Sequence, residues 1–326
     1  MDFVFTLSNV HPVYNSLNHV LNLISKSAGC ILIDTPVITG PPNILIRTKN
    51  TYLQKLNIRF SKNSIFVLNS PSMYFDTWEA RIKSIPSIIV EEYLPNNSLK
   101  DIFMRSLLFS FKNYPFVSLT KRTHNFLTNY GFHSFLIPPA EKKRKGSKKR
   151  DIILYVGRLT DSKNSLFFLE LAKELREENF VMVGRGPLLE QVKEKAKNMG
   201  NVKIVDFVED REVLFRDYYG RAKVLVHPVL QDPIGFVVVE ALSTSTPVLA
   251  SVNAGASDFL PIKWIMKDFL VKNWVNAIRN INDVSVKEAE GIFEAENLNI
   301  DSAYFETIAK SLNTFMGDKS WLKSTK

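Results

Sequence analysis

The sequence predicts an α/β protein with parallel sheets, divided into two domains. Three observations carry this. Short, nearly all-apolar runs alternate with segments of helical length and periodicity. The glycines, cations and carboxylates able to carry chemistry follow those runs directly, where open parallel sheets bind their ligands. The chain has 326 residues, too many for one typical core and suited to two of about 150 each.

The C-terminal half shows the rhythm best. Residues 151–157 (DIILYVG) read as a strand buried on both faces, closed by a glycine. A helix is expected over 165–177, a strand over 179–184, a helix over 188–199 and a strand over 202–208. Glu209 and Asp210 can cap the next helix. Two more strands follow at 223–227 and 247–252. In the N-terminal half, strands are expected at 3–6, 31–34, 64–68, 87–90 and 115–118, with a helix over 16–26. This half reads as a second, shorter Rossmann-like domain ending near Leu136-Ile137-Pro138-Pro139. The predicted domains are 1–145 and 146–326.

Composition bounds the function. With 45% hydrophobic and 23% charged residues the chain is globular. The single cysteine, Cys30, excludes intramolecular disulfides and cysteine-rich metal sites. No run approaches the eighteen or so apolar residues of a spanning helix. The N-terminus lacks the basic region and apolar core of a signal peptide, so a cytoplasmic protein is expected. His11, His19, His124, His133 and His227 are scattered without metal-ligand spacing. His227 reads as a packing residue rather than a base.

Residues 141–150 (EKKRKGSKKR) hold seven basic residues and one acid, six of the nine net positive charges of the chain. They read as a solvated, flexible connector or, through 142–150, as a patch for anionic lipid head groups. No aromatic residue interrupts the run to stack on bases, so no nucleic-acid partner is expected.

The most informative segment is Gln231-Asp232-Pro233-Ile234-Gly235-Phe236-Val237-Val238-Val239-Glu240-Ala241-Leu242. The turn at Gly235 opens onto a helix whose first N–H groups, on Phe236, Val237 and Val238, are outward-pointing donors suited to phosphate. Glu240, further along the helix, can accept two hydroxyl donors such as those of a ribose. Asp232 stands in the loop just before the phosphate position. An ordinary loop-to-helix junction would share parts of this pattern. Upstream, Gly157, Arg158 and Lys163 follow one strand, and Gly184-Arg185-Gly186-Pro187 follows another. Arg158 and Lys163 are natural diphosphate partners, one a planar fork of donors and the other a mobile point charge.

The block from Asp151 to Leu260 resembles the donor-binding domain of retaining, family 4-like glycosyltransferases with the GT-B fold. Gly157-Arg158 with Lys163, Gly184-x-Gly186-Pro187, Phe207-Val208, Asp232-x7-Glu240 and Thr246-Pro247-Val248 carry the resemblance. It implies two doubly wound, Rossmann-like domains facing each other across a cleft, with the last helix, over 303–314, crossing back to the N-terminal domain. It also implies that Val208 lies beside the base, Arg158 and Lys163 hold the diphosphate, and Glu240 holds the ribose. The absence of any D-x-D sequence disfavours the other major glycosyltransferase fold, so no metal site is predicted.

Several positions depart from the family pattern. Asp232 replaces the usual Glu, one methylene shorter. Ser245 and the Ala254-Gly255 pair stand where glycines are usual, with consequences expected only for packing and near the sugar. Asn15 and Ser16 occupy the place of a glycine loop that approaches the phosphates. Glu92, beside Glu91, falls where the family has a catalytic histidine. A Glu there can bond a sugar hydroxyl, or both carboxylates cap the next helix.

The expected activity is transfer of a sugar from a nucleoside-diphosphate sugar to an acceptor hydroxyl, with retention and without metal. Asp232, Glu240, Arg158, Lys163 and Glu92 are the candidate catalytic set. The donor is a substrate, and no cofactor is expected. A nucleotide-sugar epimerase and a non-catalytic sugar-nucleotide-binding protein are the alternatives.

Overall fold

The computed structural model describes residues 116–301 in full and, before them, the backbone of the strands. The chain divides into two compact units, one of residues 1–138 with 301–326 and one of residues 139–300. The expected helices over 16–26 and 303–314, and the candidate residues Asn15, Ser16 and Glu92, lie outside the described residues.

The first unit contains a six-stranded parallel sheet. Its strands are β1 (Asp2–Phe5), β2 (Ile31–Leu32), β5 (Ser64–Asn69), β6 (Ser87–Glu91), β7 (Pro115–Ser118) and β8 (His133–Leu136), in the order β2-β1-β5-β6-β7-β8. β3 (Ile46–Thr48) and β4 (Thr51–Gln54) form a separate antiparallel pair. Every strand expected here is present within a few residues. Between β7 and β8 runs helix α1 (Lys121–Asn129), capped by Thr120, whose hydroxyl accepts from the Thr123 N–H.

The second unit contains another six-stranded parallel sheet. β9 (Ile152–Val156), β10 (Phe180–Val183), β11 (Val202–Val205), β12 (Ala222–His227), β13 (Val248–Ser251) and β14 (Ile265–Met266) lie in the order β11-β10-β9-β12-β13-β14. Within the unit this is the 3-2-1-4-5-6 order of a dinucleotide-binding sheet, which reverses between β9 and β12. β9 and β10 are almost wholly buried, as their unbroken apolar sequences require. Helices α2 (Ser165–Glu174), α3 (Leu189–Ala196), α4 (Phe236–Ser243), α5 (Val271–Arg279) and α6 (Asp283–Ala295) accompany the sheet. Tyr155, Phe168 and Phe180 pack ring against ring in its core, with centroids 5.6 and 5.1 Å apart.

Several boundaries differ from expectation, each for a physical reason. α2 stops at Glu174 rather than Glu177. The Asn201 side chain donates to the carbonyls of Ala172, Leu175 and Glu178 at 2.9, 3.1 and 3.3 Å, taking acceptors a longer helix would need to pair internally. β11 stops at Val205, because its partner β10 ends at Val183 and leaves residues 206–208 no ladder to join.

Residues 139–145, expected with the first domain, belong to the second unit. Glu141 forms a parallel bridge with Asn299. The basic segment is therefore not a loose connector. Lys143 pairs with Glu290 and Glu294, and Arg144 with Glu141 and Glu212. Arg150 donates to the Ala222 and Thr244 carbonyls and to the Thr246 hydroxyl at 2.7–3.0 Å. Three of the seven cations in this run serve as internal scaffold, which alternation of charge and hydropathy does not reveal.

Candidate functional site

Because the strands of the second unit run parallel, their carboxyl ends share one edge, and the candidate residues gather there. Gly157 and Arg158 leave β9. Gly184-Arg185-Gly186 leaves β10 and closes on them. The Leu159 N–H donates to the Arg185 carbonyl at 2.8 Å, and the Leu188 N–H donates to the Leu159 carbonyl at 3.1 Å. A Cβ on Gly184 would lie 1.9 Å from the Gly157 carbonyl oxygen, and one on Gly186 would lie 2.3 Å from that of Leu159. These glycines exist so that two backbones can touch. Arg158 is exposed, and its carbonyl accepts from the buried Tyr155 hydroxyl at 3.1 Å. Burial, together with the nearby Asp232 charge, pushes the Tyr155 phenol far up and keeps it a donor.

Lys163 sits in a short 3-10 turn, Asp161–Lys163, before α2. The Ser162 carbonyl accepts from the Leu230 and Gln231 N–H groups at 2.9 and 3.2 Å. That seam brings Lys163 Nζ to 2.6 Å from Asp232 Oδ2. The same carboxylate accepts from His227 Nε2 at 3.1 Å and from the Gly235 N–H at 3.1 Å. Burial pushes the Asp232 carboxyl up, but the His227 hydrogen bond and the Lys163 ammonium outweigh it and hold the group well below the usual carboxylate range. His227, read from sequence as packing, is buried as expected but bonds Asp232 directly.

The Asp232 loop is also stitched to the loop after β13. The Asp232 N–H donates to the Asn253 carbonyl, and the Gly255 N–H to the Asp232 carbonyl. Ala254 is fully buried with an ordinary φ of −88°, so alanine costs nothing there. Ser245, in contrast, has φ +57°. Its departure from glycine concerns backbone strain rather than packing.

Gly235 caps α4 in the left-handed region at φ +79° and ψ 51°, which glycine adopts most easily. The N–H groups of Phe236 and Val237 make no backbone hydrogen bond among the described residues. That of Val238 is not available as expected, since it donates to the Gly235 carbonyl at 3.0 Å. Two first-turn donors remain for an anion rather than three. Glu240, on the same helix, is held from two sides. Its Oε2 accepts from the Tyr219 hydroxyl at 2.6 Å, and its Oε1 accepts from Arg211 Nη2 at 3.2 Å. Val208 packs its side chain on the core from the loop after β11. Arg185 pairs with Asp206 and lies over the Phe207 ring, bracing that loop.

Sequence reading missed Tyr219 and Arg211. Both lie in an irregular helical stretch, Arg211–Val213, Leu214–Tyr218 and Tyr219–Arg221, whose π and 3-10 turns have no simple period. Only Asp210, which caps it as expected, marked its start. Among the described residues no group of three His, Cys, Asp or Glu side chains could hold a metal ion. None of the described helices is long and apolar enough to cross a membrane.

The fold and this edge define a class. The chain has the α/β fold of the GT-B glycosyltransferases. Sucrose-phosphate synthase from Thermosynechococcus elongatus superposes with a TM-score of 0.77 at 16% identity, covering 97% of this chain and 99% of that one. Anabaena HepE in complex with UDP and glucose superposes with a TM-score of 0.71 at 13% identity, covering 96% and 100%. Within that class, residues 150–281 match the family model of the glycosyl transferases group 1. A 2-deoxystreptamine N-acetyl-D-glucosaminyltransferase from Niallia circulans is 26% identical over 138 residues, which is 40% of this chain. The match spans only 35% of that relative's length.

Proposed function

We propose that the protein is a glycosyltransferase that moves a sugar from a nucleoside-diphosphate sugar to an acceptor hydroxyl, with retention and without a metal ion. One observation carries the reading. A helix N-terminus whose first two N–H groups make no backbone hydrogen bond among the described residues lies on the same helix as Glu240, next to the Lys163–Asp232 pair, within the stretch that matches the group 1 model.

Departure of the diphosphate builds negative charge on its β-phosphate. Donors fixed in advance at that place lower the barrier, because they need no reorganisation as charge develops. The Phe236 and Val237 N–H groups, Arg158 and Lys163 supply them. An ammonium has three donors, so Lys163 can keep Asp232 and still reach a phosphate oxygen. Glu240 accepts from the ribose, Val208 borders the base, and Asp232 stands at the sugar end. The acceptor hydroxyl attacks from the face the diphosphate leaves. The UDP bound by HepE supports a diphosphate donor of this kind. Contact with an anionic membrane now rests on the exposed Lys142, Lys145, Lys148 and Lys149, at about 1 kcal/mol per cation.

Calorimetric titration of UDP, GDP and ADP, with EDTA present, tests the reading. Binding of one of them, abolished by Glu240→Gln with Lys163→Ala, supports it. Binding of none sinks it. Uptake of diphosphate with neither transfer nor hydrolysis of any sugar nucleotide would leave a binding protein instead.

A further inference from the structure

Glu240 does not stand alone, and its neighbours determine what it can hold. A carboxylate has about four lone-pair sites. Two are taken, one on each oxygen, by the Tyr219 hydroxyl at 2.6 Å and by Arg211 at 3.2 Å. The two remaining sites, again one per oxygen, match two hydroxyls on adjacent carbons. Tyr219 is fully buried and held by its backbone, since its carbonyl accepts from the Thr246 hydroxyl at 2.7 Å. The same Arg211 Nη2 is also anchored by Glu141 Oε2 at 2.6 Å. Glu141 is itself buried, and its other oxygen accepts from Arg144 and from the Lys142 N–H. Glu240 thus cannot rotate without breaking a bond to a group that is itself fixed.

We propose that Tyr219 and Arg211 are positioning residues that lock the Glu240 carboxylate edge-on to a vicinal diol, making the site selective for ribonucleotides over deoxyribonucleotides. This rests on the reading of Glu240 as the ribose acceptor. Tyr219 also stays a donor at any working pH, because burial and the Glu240 charge hold its phenol well above the ordinary value. The residues 141–144, through Glu141 and Arg211, form the far end of the same chain of contacts.

The test is calorimetry with the tightest binder among UDP, GDP and ADP, against its 2′-deoxy and 3′-deoxy counterparts. The parent protein should favour the ribonucleotide about tenfold over either, the worth of one hydrogen bond to a charged group. Tyr219→Phe and Arg211→Ala should reduce that preference to about threefold or less, while the deoxy forms bind nearly as before. Arg211→Lys should restore part of it. If Tyr219→Phe fails to fold, the exposed Arg211 position decides alone. An unchanged preference in the variants, with all affinities falling in parallel, marks a merely structural role and overturns the proposal. No preference in the parent protein removes the ribose reading of Glu240, and this proposal with it.

Discussion

Lys163 Nζ lies 2.6 Å from Asp232 Oδ2, and His227 Nε2 reaches the same oxygen at 3.1 Å. Asp232 is therefore also the buttress of Lys163, the proposed phosphate partner. Its shorter side chain suits this role, since only about a seventh of it remains exposed among three donors. Lengthening it by one methylene must displace one of them.

Asp232→Glu should consequently lower stability by about 1–3 kcal/mol through overpacking and lower turnover as well. Asp232→Asn keeps the shape and loses the charge. It should cut turnover more than nucleoside diphosphate affinity, since the free diphosphate lacks the sugar. Thermal melts and steady-state kinetics read both. A glutamate variant with raised activity would show that the aspartate marks a weakened site.

Lys163→Ala or Arg158→Ala should weaken nucleoside diphosphate binding by about 1.5–3 kcal/mol, roughly tenfold or more, the worth of a charge-assisted contact. Calorimetry gives the affinity directly. Parent-like values in both variants would remove the assigned phosphate partners.

The depressed Asp232 carboxyl makes a pH prediction with a definite sign. Its contribution to stability is full above the unfolded-state value of about 3.9 and is lost as pH falls through the folded-state value below it. The stability gap between the parent and Asp232→Asn should narrow as pH falls below about 4. Urea unfolding along that range measures it. A gap unchanged from pH 5 down to pH 2 would contradict the ion-paired assignment.

Two positions, Gly184 and Ser245, predict opposite outcomes. Gly184→Ala forces a Cβ against the Gly157 carbonyl oxygen, backbone that cannot swing away, and should cost about 3 kcal/mol or more. Ser245→Gly relieves a left-handed residue and should gain about 0.5–1 kcal/mol, after the added freedom of the unfolded glycine is subtracted. Chemical denaturation of the two variants should show shifts of opposite sign.

Within the basic segment, Arg150→Ala should destabilise the protein clearly, as it strands the Thr244 and Ala222 carbonyls. Lys145→Ala and Lys148→Ala, at exposed positions, should stay within about 0.5 kcal/mol of the parent. Equal melting temperatures for all three would return the segment to a loose tether.

The sequence by itself determined the parallel sheets, the placement of chemistry at strand ends and most residues of the candidate site. These features are local. An unbroken apolar run such as IILYV must be a strand buried on both faces. A glycine before Phe236 opens a helix with spare donors, and Asp232 and Glu240 are separated by a fixed count along one segment. The tertiary structure alone decided who holds whom. His227 and Lys163 meet on Asp232, Tyr219 and Arg211 meet on Glu240, Asn201 ends α2, and Arg150 is part of the scaffold. Most of these partners are far apart along the chain, on elements whose order in the sheet is not the order in sequence. A single chain displays spacing along itself, whereas hydrogen bonds and ion pairs depend on distance through space, which only the packing of strand against strand sets.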